Sequence, residues 1–217
     1  MSLIGLQLYI TLKLKSLIPK EKTSLFSILL GIIIPEINSI FLFFNNGFNN
    51  SLSFNKSITH SLITVAAIYL LFLIIYEIKK NQKILLHANG ITIGIIINIA
   101  FNCIIRLDNI DILWPLPIQS IQKHSYSNSI LNLLLCLEFI FFRLLGSELI
   151  NLMINKSTKD NTIIHLSYFM KFATIFTFLL ILTTISTSYL TTTIFIILYN
   201  ILYLYIFYIL LRLRKIL

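Results

Sequence analysis

Six stretches of roughly 20 mostly apolar residues dominate this chain: 24–44, 61–78, 85–105, 130–150, 163–187 and 189–211. A helix of about 20 apolar residues spans the hydrocarbon of a bilayer. A soluble domain could not hide so many such runs in one core, because much of a folded chain's surface must face solvent. The composition agrees: 57% of the 217 residues are hydrophobic and only 12% are charged, against roughly 25% charged in an average soluble domain. The runs lack the strict alternation of an outer-membrane barrel strand. The expected fold is therefore all-α, a polytopic membrane helix bundle with about six transmembrane helices in a single domain, 1–217.

The N-terminal apolar stretch, residues 3–12, has no positive region before it and no small-residue cleavage site after it. It reads as a short interfacial helix ending at Lys13 and Lys15, not as a cleaved signal peptide. Cys103 and Cys136 fall inside apolar runs and suggest buried thiols with no disulfide framework.

The net charge of +9 raises the question of nucleic acid. Lys and Arg sit at the ends of apolar runs, however, not on an aromatic-interleaved polar face, so nucleic acid is not an expected partner. With the N-terminus placed in the cytoplasm, the inner segments hold twelve basic residues. The outer segments hold Lys56, Arg106 and Lys123, while Arg143 and Lys171 lie within spans. This bias orients the bundle with both termini cytoplasmic, in a membrane read as the bacterial inner membrane.

Polar groups at membrane depth are costly, and function is sought there first. Glu36 follows Pro35 in Gly31-Ile-Ile-Ile-Pro35-Glu36-Ile-Asn38. Proline frees a backbone carbonyl, so this is either a kink or the floor of a polar pocket. His60, in Thr59-His60-Ser61, opens the second span, as an interfacial residue beside a helix cap or as a ligand. Gly94, Asn98 and Asn102 are spaced by four and share one helix face, as a helix-packing stripe or as part of a site. The topology puts Glu36, Asn38, His60, Asn98 and Asn102 at similar depth near the extracytoplasmic face. Trp114, before Pro115 and Pro117, is placed as an interfacial anchor. Glu138 and Arg143, five apart, are poorly placed to pair along one face and are read as meeting partners on other helices, Lys171 being one candidate for Glu138, and 183–193 is expected to form a tight outer turn. His87, His124 and His165 join no recognisable cluster.

These elements, in this order, resemble the LexA-regulated, membrane-bound metal-dependent hydrolase family. That pattern runs approximately Gly-x-x-x-Pro-Asp-x-Asp, His-Arg-Gly-x-Thr-His-Ser, His-x-x-x-Asp and Leu-Trp-Pro. This chain carries Gly31-x-x-x-Pro35-Glu36-x-Asn38, Asn55-Lys56-Ser57-Ile58-Thr59-His60-Ser61, Asn98-x-x-x-Asn102 and Leu113-Trp114-Pro115. The likeness covers 24–117, a hydrolase-like half, and leaves three further transmembrane helices in 130–217 without a motif. It implies a divalent metal, Zn²⁺ or Mn²⁺, activating water for hydrolysis of a membrane-embedded or lipid-linked substrate. The implied metal positions here are Glu36, Asn38, His60, Asn98 and Asn102, with Glu36 and His60 as the catalytic pair and Asp108 or Asp111 assisting. Asn stands at 38, 55, 98 and 102, where the pattern has Asp, His, His and Asp. An amide oxygen carries neither carboxylate charge nor imidazole nitrogen, so the expected metal site is weak or lost. Each change is one base toward an A-rich codon, and drift at a relaxed site accounts for it. The alternative is a non-catalytic assembly or transporter-like protein, in which Asn98 and Asn102 bond one helix to another.

Overall fold

The computed structural model describes residues 3–18, 23–36, 59–105, 111–116, 128–155, 162–183 and 189–214. These residues are helical, with no strand among them. Seven α-helices are described: α1 Ile4–Lys13, α2 Leu25–Ile33, α3 Leu62–Lys79, α4 Gln82–Ile105, α5 Asn128–Asn155, α6 Thr162–Thr183 and α7 Tyr189–Leu213. Short 3₁₀ turns, Leu14–Leu17 and Ile34–Glu36, follow α1 and α2. Among the described residues two helices, α3 and α4, are long and apolar enough to cross a membrane.

By its contacts the chain groups into two compact units, Lys15–Ser125 and Leu3–Leu14 with Tyr126–Leu217. In the first unit, α2 and α3 both pack on α4. Gly31 and Gly94 let α2 and α4 approach closely: a Cβ at Gly94 would collide with the carbonyl oxygen of Ile28 and lie 2.8 Å from Gly31 Cα. Gly90 stands one turn earlier on the same face, where a Cβ would lie 2.6 Å from Ser27 Cβ. This is the small-residue spacing that brings membrane helices into backbone contact. Ser27 Oγ also meets His87 Nδ1 at 2.5 Å, so His87 has a partner on α2.

Helices α3 and α4 form an antiparallel hairpin. Lys80 closes α3 in the left-handed conformation, with φ of 49°. Asn81 Oδ1 accepts from Lys83 N at 3.0 Å and opens α4. The Lys80 ammonium pairs with Glu77, whose hydrogen bond and charge raise the lysine pKa above its ordinary value. Val65, Ile95 and Ile99 form the small core between the two helices.

In the second unit α5 packs on α6 and α6 on α7, while α1 packs along α5. Aromatic pairs hold the helices together, including Phe142 with Phe169 at 5.9 Å and Phe169 with Tyr205 at 5.8 Å between ring centroids. Helix α1 is present where an interfacial helix is expected, but its packing differs. It runs parallel to α5, with Tyr9 5.8 Å from Phe141 and Lys13 paired with Glu148. Its buried residues include the polar Gln7 and Thr11 beside Ile4, Leu8 and Leu12, so it does not keep its polar face in water. No Ser, Thr, Asp or Asn caps it. Instead Glu138 accepts from the first-turn amides, Gly5 N at 2.5 Å and Leu6 N at 3.3 Å. Carboxylate charge suits the positive end of a helix. This corrects the expected pairing of Glu138 with Lys171, whose ammonium lies 5.7 Å from the Tyr168 ring centroid. Residues 184–188, the middle of the expected outer turn, lie outside the described residues, as does His124.

Candidate functional site

The first unit brings four of the five singled-out polar residues into one hydrogen-bonded chain. Pro35 carries no N–H, and α2 tightens into the 3₁₀ turn Ile34–Glu36. Asn98 Nδ2 donates to the Ile32 carbonyl at 3.0 Å, meeting a backbone acceptor near the end of α2. One turn along α4, Asn102 Nδ2 donates to Asn98 Oδ1 at 2.8 Å and to Glu36 Oε1 at 3.3 Å. The same carboxylate oxygen lies 3.1 Å from His60 Nε2. Asn98 is fully buried, and the Glu36 and His60 side chains are 3% and 4% exposed. Asn38, Asn55 and Asp108 lie outside the described residues; Asp111 is described and is partly exposed.

Neighbours on both sides hold His60 in place. Thr59 Oγ1 donates to the Pro35 carbonyl at 3.1 Å and lies 3.1 Å from His60 Nδ1. With its one proton committed to Pro35, that hydroxyl accepts from Nδ1–H. On its other side the imidazole faces the Glu36 carboxylate, Nε2 to Oε1 at 3.1 Å. The arrangement is a buried acid–base pair.

Ser61 is the cap of α3, in extended backbone, accepting from Ile63 N at 3.2 Å. Its own proton goes to the Trp114 carbonyl at 2.7 Å, and Leu62 N donates to Ile112 O at 2.8 Å. The turn around Trp114 is therefore laced to the segment carrying His60, a link beyond the anchor role read from its position. Backbone acceptors leave no signature in a sequence; the only available sign was the polar run Thr59–Ser61. Ser61→Ala is expected to cost about 1–2 kcal/mol through loss of the cap. It should also shift the fluorescence of Trp114, the single tryptophan, whereas Ser61→Thr keeps both hydrogen bonds. Unchanged fluorescence in Ser61→Ala would mean that the tether is absent.

Among the described residues the donor set does not fit a tightly held transition metal. Among the described residues no three His, Cys, Asp or Glu side chains gather as metal ligands. The two amides offer little more: Asn102 turns its nitrogen into the network, and Asn98 Oδ1 is already taken by Asn102. One carboxylate and one imidazole remain, fewer than the three protein ligands of a catalytic zinc site.

No family model, curated protein or solved structure matches this chain.

Proposed function

We propose that this chain is a divergent, hydrolase-like protein of a bacterial inner membrane, with a degenerate metal site that keeps its acid–base pair. The observation that carries the proposal is the contact of His60 Nε2 with Glu36 Oε1 at 3.1 Å, both groups buried and Asn102 on the same oxygen. Burial and neutral amide donors are a setting in which a carboxylate–imidazole pair can exchange a proton with a substrate or water. By analogy with the family it resembles, the substrate would be a phosphoester or lipid-linked compound reached from the outer face.

The membrane part of the proposal has its own support. A core helix of a soluble fold can match α3 in length and composition, but it would be buried. In α3 only Val65 is buried. Leu70, Leu71, Ile74 and Ile78 are 56–76% exposed, an apolar face too extended for water. Exposed apolar side chains recur on α5, α6 and α7, among them Leu133, Phe178 and Ile201. With the basic residues concentrated in alternate connections, this favours six spans with both termini cytoplasmic.

Metal analysis of the purified chain tests the site. The wild type is expected to carry well under one Zn²⁺ or Mn²⁺ per chain. Asn98→His with Asn102→Asp, which restores the family's residues at two of the four changed positions, is expected to approach one. A full equivalent in the wild type, lost in His60→Ala, would overturn the degenerate reading. The second reading, a non-catalytic assembly or transporter-like protein, is favoured by one observation: Asn98 is spent at both ends on helix contacts. If the restored chain gains neither metal nor hydrolysis of a model phosphodiester, that reading stands.

A further inference from the structure

The second unit contains a polar feature that the cluster around His60 leaves unused. A cavity of about 400 Å³ lies between α5 and α6, lined by Arg143, Ser147, Thr174 and Thr177 together with apolar residues such as Ile140 and Phe178. Arg143 is well inside α5, about 18 Å from its nearer end at 1.5 Å per residue. Ser147 lies one turn further on the same face, and the two threonines face it from α6. Close contact of Gly146 with Met170 brings the helices together beside the cavity: a Cβ at Gly146 would lie 2.6 Å from Met170 Cγ.

A guanidinium carries a fixed positive charge and five donors. Among the described residues, Arg143 has no hydrogen bond or ion pair. The two acidic residues of α5 are committed elsewhere, Glu138 to the first turn of α1 and Glu148 to Lys13. The three hydroxyls donate to carbonyls of their own helices: Ser147 to Leu144, Thr174 to Met170 and Thr177 to Ala173, each at 2.7 Å. Such bonds are weak local ones, and a hydroxyl can turn to donate to a ligand instead. Arg143 is exposed on α5; on the membrane reading a guanidinium at that height, with no partner among the described residues, is costly, and an anion offsets that cost.

We infer that this cavity binds the phosphate of an amphipathic molecule, with Arg143 forking onto the phosphate oxygens, Ser147, Thr174 and Thr177 completing the shell, and the apolar wall taking the first part of the tail. The inference rests on the membrane reading but not on the acid–base pair.

The test uses the full chain, purified in mild detergent and examined by native mass spectrometry after exchange with phosphatidylglycerol or phosphatidylcholine. One phosphatidylglycerol is expected to stay bound and phosphatidylcholine to wash off. Loss of the charge-assisted fork in Arg143→Gln should weaken retention by about tenfold or more, with Arg143→Lys intermediate. Thr174→Val with Thr177→Val should weaken it with helicity unchanged by circular dichroism, so a misfolded arginine variant does not decide the matter. Inorganic phosphate that binds in an Arg143-dependent way and displaces the lipid would support the anion site with a soluble source. Equal retention in wild type and Arg143→Gln, with no phosphate binding, would overturn the site. Carbonate extraction separates the two failures: a chain that washes off membranes defeats the membrane reading, whereas a retained chain lacking Arg143-dependent binding defeats only the cavity.

Discussion

Replacing Gly94 with alanine is expected to force α2 and α4 apart and to destabilise the first unit by about 3 kcal/mol, at the upper end of the usual cost of overpacking. The added methyl would meet the Ile28 carbonyl oxygen and Gly31 Cα. Both are backbone atoms, which cannot swing aside as a side chain can. The damage should extend to the site, because Asn98 and Asn102 follow one and two turns along the same face. Their bonds to Ile32 O at 3.0 Å and Glu36 Oε1 at 3.3 Å have little slack. Gly146→Ala provides the control. There the new Cβ meets the flexible Met170 side chain, so the cost should be about 1 kcal/mol or less. Thermal unfolding of the two variants in the same detergent compares them; equal losses would show that backbone contact does not limit the α2–α4 approach.

Loss of the Glu138 carboxylate should release α1. Glu138→Ala leaves the Gly5 and Leu6 amides without their acceptor in a buried setting. The expected cost is about 3 kcal/mol, hence roughly a hundredfold faster hydrogen exchange at those amides. Glu138→Gln keeps one accepting oxygen and turns a donor toward the other amide, so its effect should be intermediate. Lys13→Ala, at the exposed far end, should leave exchange at Gly5 and Leu6 unchanged. Slow exchange in Glu138→Ala would mean that apolar packing alone seats the helix.

What the sequence revealed and what it hid follow from the chemistry of each contact. Asn98 and Asn102 could be placed together because a helix repeats every 3.6 residues, and Pro35 marked where α2 would need an outside donor. The meeting of Glu36 with His60 required only that two helix ends reach the same depth. Glu138 was opaque for the opposite reason. Its partners are two main-chain amides 133 and 132 residues away, and any residue type supplies those. Lys171 carried the opposite charge and drew the assignment, yet it lies over Tyr168. Likewise, nothing in the composition of 3–12 distinguishes a helix lying on a lipid surface from one packed along α5. The difference lies in burial of Gln7 and Thr11, which an apolar count does not register.

The docking of α1 against α5 has a consequence for the chain as it is made. At about 5–20 residues per second, Glu138 leaves the ribosome roughly 7–27 s after Gly5. Throughout that interval α1 lacks the Glu138 carboxylate that receives its first amides, and α2, α3 and α4 are complete before it can settle. Helix α1 is made before α2, α3 and α4 yet settles after them, and a chaperone or insertase attending the nascent protein would meet it undocked.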